Sequence, residues 1–74
     1  MKGGDSMQMI NVDSRNISSI GYENNILYVL FNNGSMYSYN NVPINVYREF
    51  LSASSHGKYF HTYIKKSYPC SRIH

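Results

Sequence analysis

The sequence lacks several features that would place it in a familiar class. Its 74 residues include no tryptophan and one cysteine, and the longest apolar run covers only residues 26–31. A run that short cannot cross a bilayer, which takes about 20 apolar residues. Cys70 has no second cysteine for an intrachain disulfide, and no signal-peptide pattern opens the sequence. We therefore expect a cytoplasmic protein without membrane contact.

Charge is also scarce, and it is unevenly distributed. Seven Lys and Arg residues stand against four Asp and Glu residues. From residue 48 onwards the only carboxylate is Glu49, and this last third of the chain carries most of the cations: Arg48, Lys58, Lys65, Lys66 and Arg72. This bias indicates either an anion-binding surface or an ordinary solvated helix face.

Groups suited to catalysis or metal binding are few. His56 and His61 are five residues apart, which does not place two ligands on one helix face, and no cysteine pair joins them. The four carboxylates fall in the first residues, in turns or on an exposed helix position, so no nucleophile, base and carboxylate set can be assembled. The sequence therefore predicts no enzyme, no metal and no cofactor.

The middle of the chain predicts an antiparallel meander. Residues 16–22, 26–32 and 35–40 have the β-branched and aromatic content of strands. Glu23, Asn24 and Asn25 are predicted to form the turn between the first two, since asparagine tolerates the left-handed backbone of tight turns. Asn33 and Gly34 separate the last two, and this dipeptide favours a two-residue turn with positive φ at both positions. The sequence thus predicts three consecutive strands.

The apolar period changes to that of a helix after Val42 and Pro43. Apolar side chains recur at three- and four-residue spacing over residues 43–53, with Asn40 or Asn41 as the expected cap. Gly57 is predicted to end this region in a left-handed conformation, and a shorter helix is predicted from Lys58 to before Pro69. The fold class is therefore α+β: a three-stranded antiparallel meander packed by one long and one shorter helix. Residues 1–11 are assigned to a leader, 12–68 to the domain and 69–74 to a tail.

Two features suggest a ligand site. Tyr37 and Tyr39 share a strand face, where their rings can stack on a base or simply fill the core. The turn at residues 54–58 combines small hydroxyl residues, a glycine and Lys58, which suits a phosphate at a helix start but also suits a plain polar connection. The predicted ligand-binding residues are Tyr37, Tyr39, Arg48, Ser54, Ser55, His56, Gly57, Lys58, Tyr59 and Lys65.

The order of short motifs along residues 12–68 resembles the KTSC domain. The motifs are Gly21-Tyr22, Leu27-x-Val29-x-Phe31, Gly34, Tyr37-x-Tyr39, Val42-Pro43, Val46-Tyr47, Gly57-Lys58-Tyr59-Phe60 and Ile64-Lys65. This family is named for the C-terminus of some lysyl-tRNA synthetases and also occurs as free-standing bacterial and phage proteins. The resemblance implies a small domain for which RNA binding is the usual suggestion.

These observations favour a non-catalytic module that binds a phosphate-bearing nucleotide. The ligand is either RNA or a free nucleotide, and a phage-type member would sequester a nucleotide immune signal. The alternative is a protein–protein interaction or adaptor module without a nucleotide ligand. Because so short a chain buries only about 60% of its unfolded surface, we also expect a homo-oligomer.

Overall fold

The computed structural model describes residues 8–74, which form a mixed α+β domain. Its sheet has five antiparallel strands in the order β1-β2-β3-β4-β5. The strands are β1 (Ile10–Asn11), β2 (Ile17–Glu23), β3 (Ile26–Phe31), β4 (Met36–Tyr39) and β5 (Cys70–Arg72). The predicted three-stranded meander is therefore present as β2 to β4, but the sheet is wider than predicted.

The two additional strands lie at the edges of the sheet. β1 pairs with β2 through Ile10 opposite Ile20, and β5 pairs with β4 through Cys70 opposite Tyr39. Both belong to segments that the sequence assigned to a leader and a tail. They are two and three residues long, too short to show an alternating pattern. The rest of the predicted leader, residues 1–7, lies outside the described residues.

A tight turn joins β2 and β3 where the sequence predicted one, but it has two residues, because Glu23 is the last residue of β2. Asn24 and Asn25 have φ values of 55° and 65°, and Glu23 pairs with Ile26 across them. Positive φ at both central positions gives the twist that continues into the flanking strands. This hairpin fixes the register in which Leu27 and Val29 reach the core.

The turn between β3 and β4 differs from the prediction. Of Asn33 and Gly34 only Gly34 has a positive φ, at 93°. The Gly34 amide donates to the Phe31 carbonyl at 2.9 Å, and the Phe31 amide donates to the Ser35 carbonyl at 2.8 Å. The loop therefore has three residues, with glycine in the left-handed position that follows the turn.

The first helix, α1 (Ile44–Ser52), lies one residue inside the predicted limits at each end. Its N-cap is Pro43 without a side-chain cap, so the prediction that Asn40 or Asn41 caps it was wrong. Asn41 instead has a φ of 61° and helps the chain to turn out of β4. The C-cap is Ala53 in extended conformation, and its amide donates to the Phe50 carbonyl at 3.3 Å.

The second helical region begins earlier than predicted. α2 (His56–Tyr59) starts after the N-cap Ser55 and continues directly into a π-helical segment (Phe60–Ile64). Gly57 is thus the second residue of a helix and has no positive φ, so the predicted left-handed C-cap was wrong. The reason is that α1 ends by extending at Ala53, which leaves Gly57 free to continue a helix.

The core lies between one face of the sheet and the two helical regions. Its buried apolar side chains are Ile17, Ile20, Leu27, Val29, Tyr39, Val42, Phe50, Phe60 and Ile64. Tyr22 joins α1 to the sheet, since its ring stacks on Tyr47 at 4.8 Å and its hydroxyl donates to the Val42 carbonyl at 2.6 Å. Aromatic packing on this scale helps a small domain to compensate for a small core.

Candidate functional site

A groove opens between β3, β4 and the π-helical segment. Its volume is about 620 Å³, within the range of about 300–1,000 Å³ that is usual for small-molecule sites. Its lining residues come from distant parts of the chain: Arg15, Asn16, Ile17, Phe31, Asn32, Asn33, Tyr37, Tyr39, Gly57, Phe60, His61, Lys65 and Cys70.

Four aromatic rings form the interior of the groove, and they meet edge to face. Phe60 contacts Phe31 at 5.5 Å between centroids and 74°, and it contacts Tyr39 at 5.6 Å and 79°. Tyr37 meets Phe31 in the same way at 5.9 Å and 83°. Such arrangements match the positive edge of one ring to the negative face of another. The interior is consequently apolar and held in a defined shape.

The π-helical segment sets the opposite side of the groove. Its wider turn is closed by the Lys65 amide, which donates to the Phe60 carbonyl at 2.9 Å. Phe60 and Ile64 point into the core, whereas the exposed side chains of His61 and Lys65 line the groove. Single π-helical turns within helices often occur at functional sites.

Asn32 holds the loop that brings Arg15 to the groove. Its side-chain amide donates to the carbonyls of Ser14 at 3.2 Å and Arg15 at 2.6 Å. The Asn32 backbone amide also donates to the Asn16 carbonyl at 2.8 Å. These bonds fix the loop backbone at the end of β3, so that Arg15, which is exposed, is one of the residues that line the groove.

The electrostatics of the groove favour an anion. Arg15 and Lys65 supply positive charge, and none of the lining residues within 8–74 is Asp or Glu. Burial raises the pKa of Tyr39 to about 12, with further contributions from Cys70 and Tyr37. The Tyr39 phenol is therefore a neutral hydrogen-bond donor at physiological pH.

The residues predicted from sequence divide between this groove and a second depression. Tyr37, Tyr39, Gly57 and Lys65 line the groove. A smaller hollow of about 250 Å³ is lined by Ser54, Ser55, Lys58, Tyr59, Thr62 and Tyr63. The predicted phosphate turn is thus divided: Gly57 lies in the groove with the tyrosine pair, whereas Ser54, Ser55 and Lys58 line the smaller hollow.

The remaining predicted residues have structural contacts or lie apart. The Ser55 hydroxyl accepts from the Lys58 amide at 3.3 Å, so this helix-start amide already has a partner. His56 is half-buried, and its Nε2 donates to the Leu51 carbonyl at 3.1 Å. Arg48 is exposed on α1 and lines neither cavity.

Tyr59 connects the second helical region to α1. Its hydroxyl donates to the Glu49 carboxylate at 2.8 Å, and its ring stacks on Phe50 at 5.6 Å. Burial and this hydrogen bond raise the pKa of Tyr59 to about 12. Its hydroxyl is therefore occupied within the fold.

Sequence reasoning missed most of the groove. The residues not foreseen are Arg15, Asn16, Ile17, Phe31, Asn32, Asn33, Phe60, His61 and Cys70. The aromatic ones were identifiable as core residues by their spacing, but not as the wall of a cavity. Nothing local marks Arg15, because its position depends on hydrogen bonds to Asn32, which is 17 residues away.

Comparison with known proteins identifies the family. The model of the KTSC domain matches residues 13–68. The chain belongs to the KTSC domain family. This KTSC domain is 36% identical over 61 residues to an uncharacterized protein of Stutzerimonas stutzeri (strain A1501), covering 80% of this chain and 86% of that protein.

A solved structure confirms the KTSC fold. The crystal structure of a KTSC domain protein from Yersinia pestis matches with a TM-score of 0.87 and 38% identity. The match covers 93% of this chain and 100% of that one.

Residues 8–74 contain no group of three or more His, Cys, Asp or Glu side chains placed to hold a metal ion. No helix among them is both long and apolar enough to cross a membrane.

Proposed function

We propose that this KTSC domain is a non-catalytic cytoplasmic protein that binds a phosphate-bearing nucleotide in the groove. The observation that supports this most directly is the pairing of an aromatic interior with cations at its rim. Phe31, Tyr37 and Phe60 offer surfaces for a base, while Arg15 and Lys65 can meet phosphate. Base–aromatic stacking contributes about 1–3 kcal/mol per base, and arginine suits phosphate through its forked donors.

A small nucleotide fits the groove better than a long RNA. The cavity is confined to one side of the sheet, and its volume is that of a small-molecule site. A protein that binds an RNA backbone usually presents a broader cationic stripe. A non-catalytic binder of this kind acts by holding its ligand, as in sequestration of a nucleotide signal.

One observation supports a second role in self-association. The Ile73 amide donates to the Met36 carbonyl at 2.7 Å and the Asn40 amide donates to the Pro69 carbonyl at 2.9 Å. Along an antiparallel strand, the N–H and C=O groups of successive residues point alternately towards and away from the neighbouring strand. Because Pro69 and Ile73 bond to β4, the N–H and C=O groups of Cys70 and Arg72 point away from it. Since β5 is an edge strand and Ile73 beside it is 52% exposed, we propose a homo-oligomer formed by strand addition at this edge.

Calorimetry with three named ligands tests the nucleotide proposal. We expect uridine monophosphate or guanosine monophosphate to bind, and raising the salt concentration to weaken this binding only modestly because few charges are involved. Tighter, steeply salt-dependent binding of a short single-stranded RNA would favour RNA as the ligand instead. If no nucleotide or RNA binds, the protein–protein adaptor function takes the place of the nucleotide proposal.

A further inference from the structure

Two hydroxyls in the groove, those of Tyr37 and Tyr39, have no hydrogen-bond partner within residues 8–74, and Tyr39 is the more buried of the two residues. Tyr39 is 4% exposed and lines the groove, yet its hydroxyl makes no hydrogen bond to any residue within 8–74. The hydroxyls of Tyr22 and Tyr59 do have partners, at Val42 and Glu49. The Tyr39 hydroxyl is not sealed in the core, because the fully buried side-chain nitrogen or oxygen that lacks a partner within residues 8–74 is His56 Nδ1. The phenol therefore opens onto the groove and is free to donate to a ligand there.

The surroundings of Tyr39 restrict the group that can pair with it. Its ring is held edge-on by Phe60 at 5.6 Å, and the buried Ile17 and the ring of Phe31 line the same cavity. A phosphate placed among these side chains would lose its hydration, whereas the two cations that line the groove, Arg15 and Lys65, are exposed at its surface. An uncharged acceptor carries a much smaller desolvation cost and still satisfies the phenol.

We infer that the Tyr39 hydroxyl donates a hydrogen bond to an uncharged acceptor of the base, a carbonyl oxygen or ring nitrogen, so that the base enters the groove and the phosphate stays at the rim. This inference rests on the proposed nucleotide function and adds the orientation of the ligand. Arg15 and Lys65, which are exposed, are the phosphate contacts in this arrangement. The raised pKa of Tyr39 is consistent with a phenol that stays protonated and donates.

The first test needs no ligand. Tyr39→Phe removes only the hydroxyl, and because that group has no partner in the fold the variant should melt at the wild-type temperature or above it. The matched control is Tyr22→Phe, which removes the 2.6 Å bond to Val42. For a chain of this size we expect that control to melt several degrees lower, by about 4–8 °C. A Tyr39→Phe variant that melts as low as the control would overturn the inference.

The second test separates the base from the phosphate. Wild-type protein should bind uridine monophosphate more tightly than ribose 5-phosphate, which has no base. Tyr39→Phe should weaken uridine monophosphate binding by about three- to tenfold, the effect of one neutral hydrogen bond. It should leave ribose 5-phosphate binding unchanged.

The possible failures can be distinguished. Equal binding of the two ligands by wild-type protein, or an equal loss for both in Tyr39→Phe, would overturn the base-inward orientation but leave phosphate binding in place. Failure of the wild type to bind any nucleotide would overturn the proposed function and this inference together.

Discussion

The ring of Phe60 meets the ring of Phe31 edge-on, with 5.5 Å between centroids and 74° between planes. This contact joins the π-helical segment to β3, and both rings line the groove. The groove therefore exists only while the second helical region is docked on the sheet. Binding and folding are linked at this contact, so each binding measurement below needs a thermal melt beside it.

We predict that Lys65→Ala weakens nucleotide binding. Lys65 lines the groove and is exposed, so loss of its contact should cost about 1 kcal/mol, less than a buried charge-assisted bond. Lys66→Ala is the matched control, since it removes the same charge one residue away and outside the lining. Lys58→Ala tests the smaller hollow. Calorimetry showing that Lys58→Ala alone impairs binding would move the site to that hollow.

Two glycine substitutions should change stability in opposite directions. Gly34 has a φ of 93°, which side chains other than glycine rarely adopt, so Gly34→Ala should lower the free energy of unfolding by about 1 kcal/mol. Gly57 is helical, and an added Cβ would lie 3.9 Å from the Ser14 hydroxyl, an ordinary contact. Gly57→Ala should raise stability by about 0.5–1 kcal/mol. Urea denaturation of both variants would show the signs, and destabilisation by Gly57→Ala would contradict the helical assignment.

Stability should fall at alkaline pH. The pKa values of Tyr39 and Tyr59 are raised to about 12 from the ordinary tyrosine value of 10.0, mainly by burial. A group with a raised folded-state pKa contributes stability below its unfolded pKa and loses that contribution as pH rises through the folded value. The loss should therefore occur between about pH 10 and 12. Titration by tyrosinate absorbance should show late-ionising phenols, and Tyr39→Phe should remove one of them.

We predict that the protein self-associates through the exposed edge of β5. Light scattering at high micromolar concentration should give a mass above the 8.6 kDa of one chain. Arg72→Pro removes an outward-facing amide and should shift the protein towards monomer, while Arg72→Ala removes the same charge but keeps the amide. A monomeric wild type would contradict the proposed self-association but would leave the proposal of nucleotide binding in the groove unchanged.

The meander and the first helix were predictable because their signals are local. Asn24 and Asn25 specify a tight turn by their own backbone preference, and the apolar period after Pro43 identifies α1. Gly57 was misassigned because glycine suits both a left-handed cap and a tightly packed helix position. Only the way α1 ends, at Ala53, decides between the two.

The site was less predictable than the fold. Tyr37 and Tyr39 were correctly placed on one strand, but whether their rings fill the core or line a cavity depends on where Phe60 packs. Arg15 reaches the groove only through hydrogen bonds to Asn32, which follows β3. Such contacts between distant residues are set by tertiary packing and leave no pattern in the nearby sequence.

The most direct test of the nucleotide proposal is a titration of isotope-labelled protein with uridine monophosphate and guanosine monophosphate, followed by amide chemical shifts. We expect saturable shifts around the groove, at Arg15, Asn32, Tyr37, His61 and Lys65, with little change at Ser54 and Ser55. Absence of any shift at millimolar ligand, or shifts confined to the smaller hollow, would contradict the nucleotide proposal.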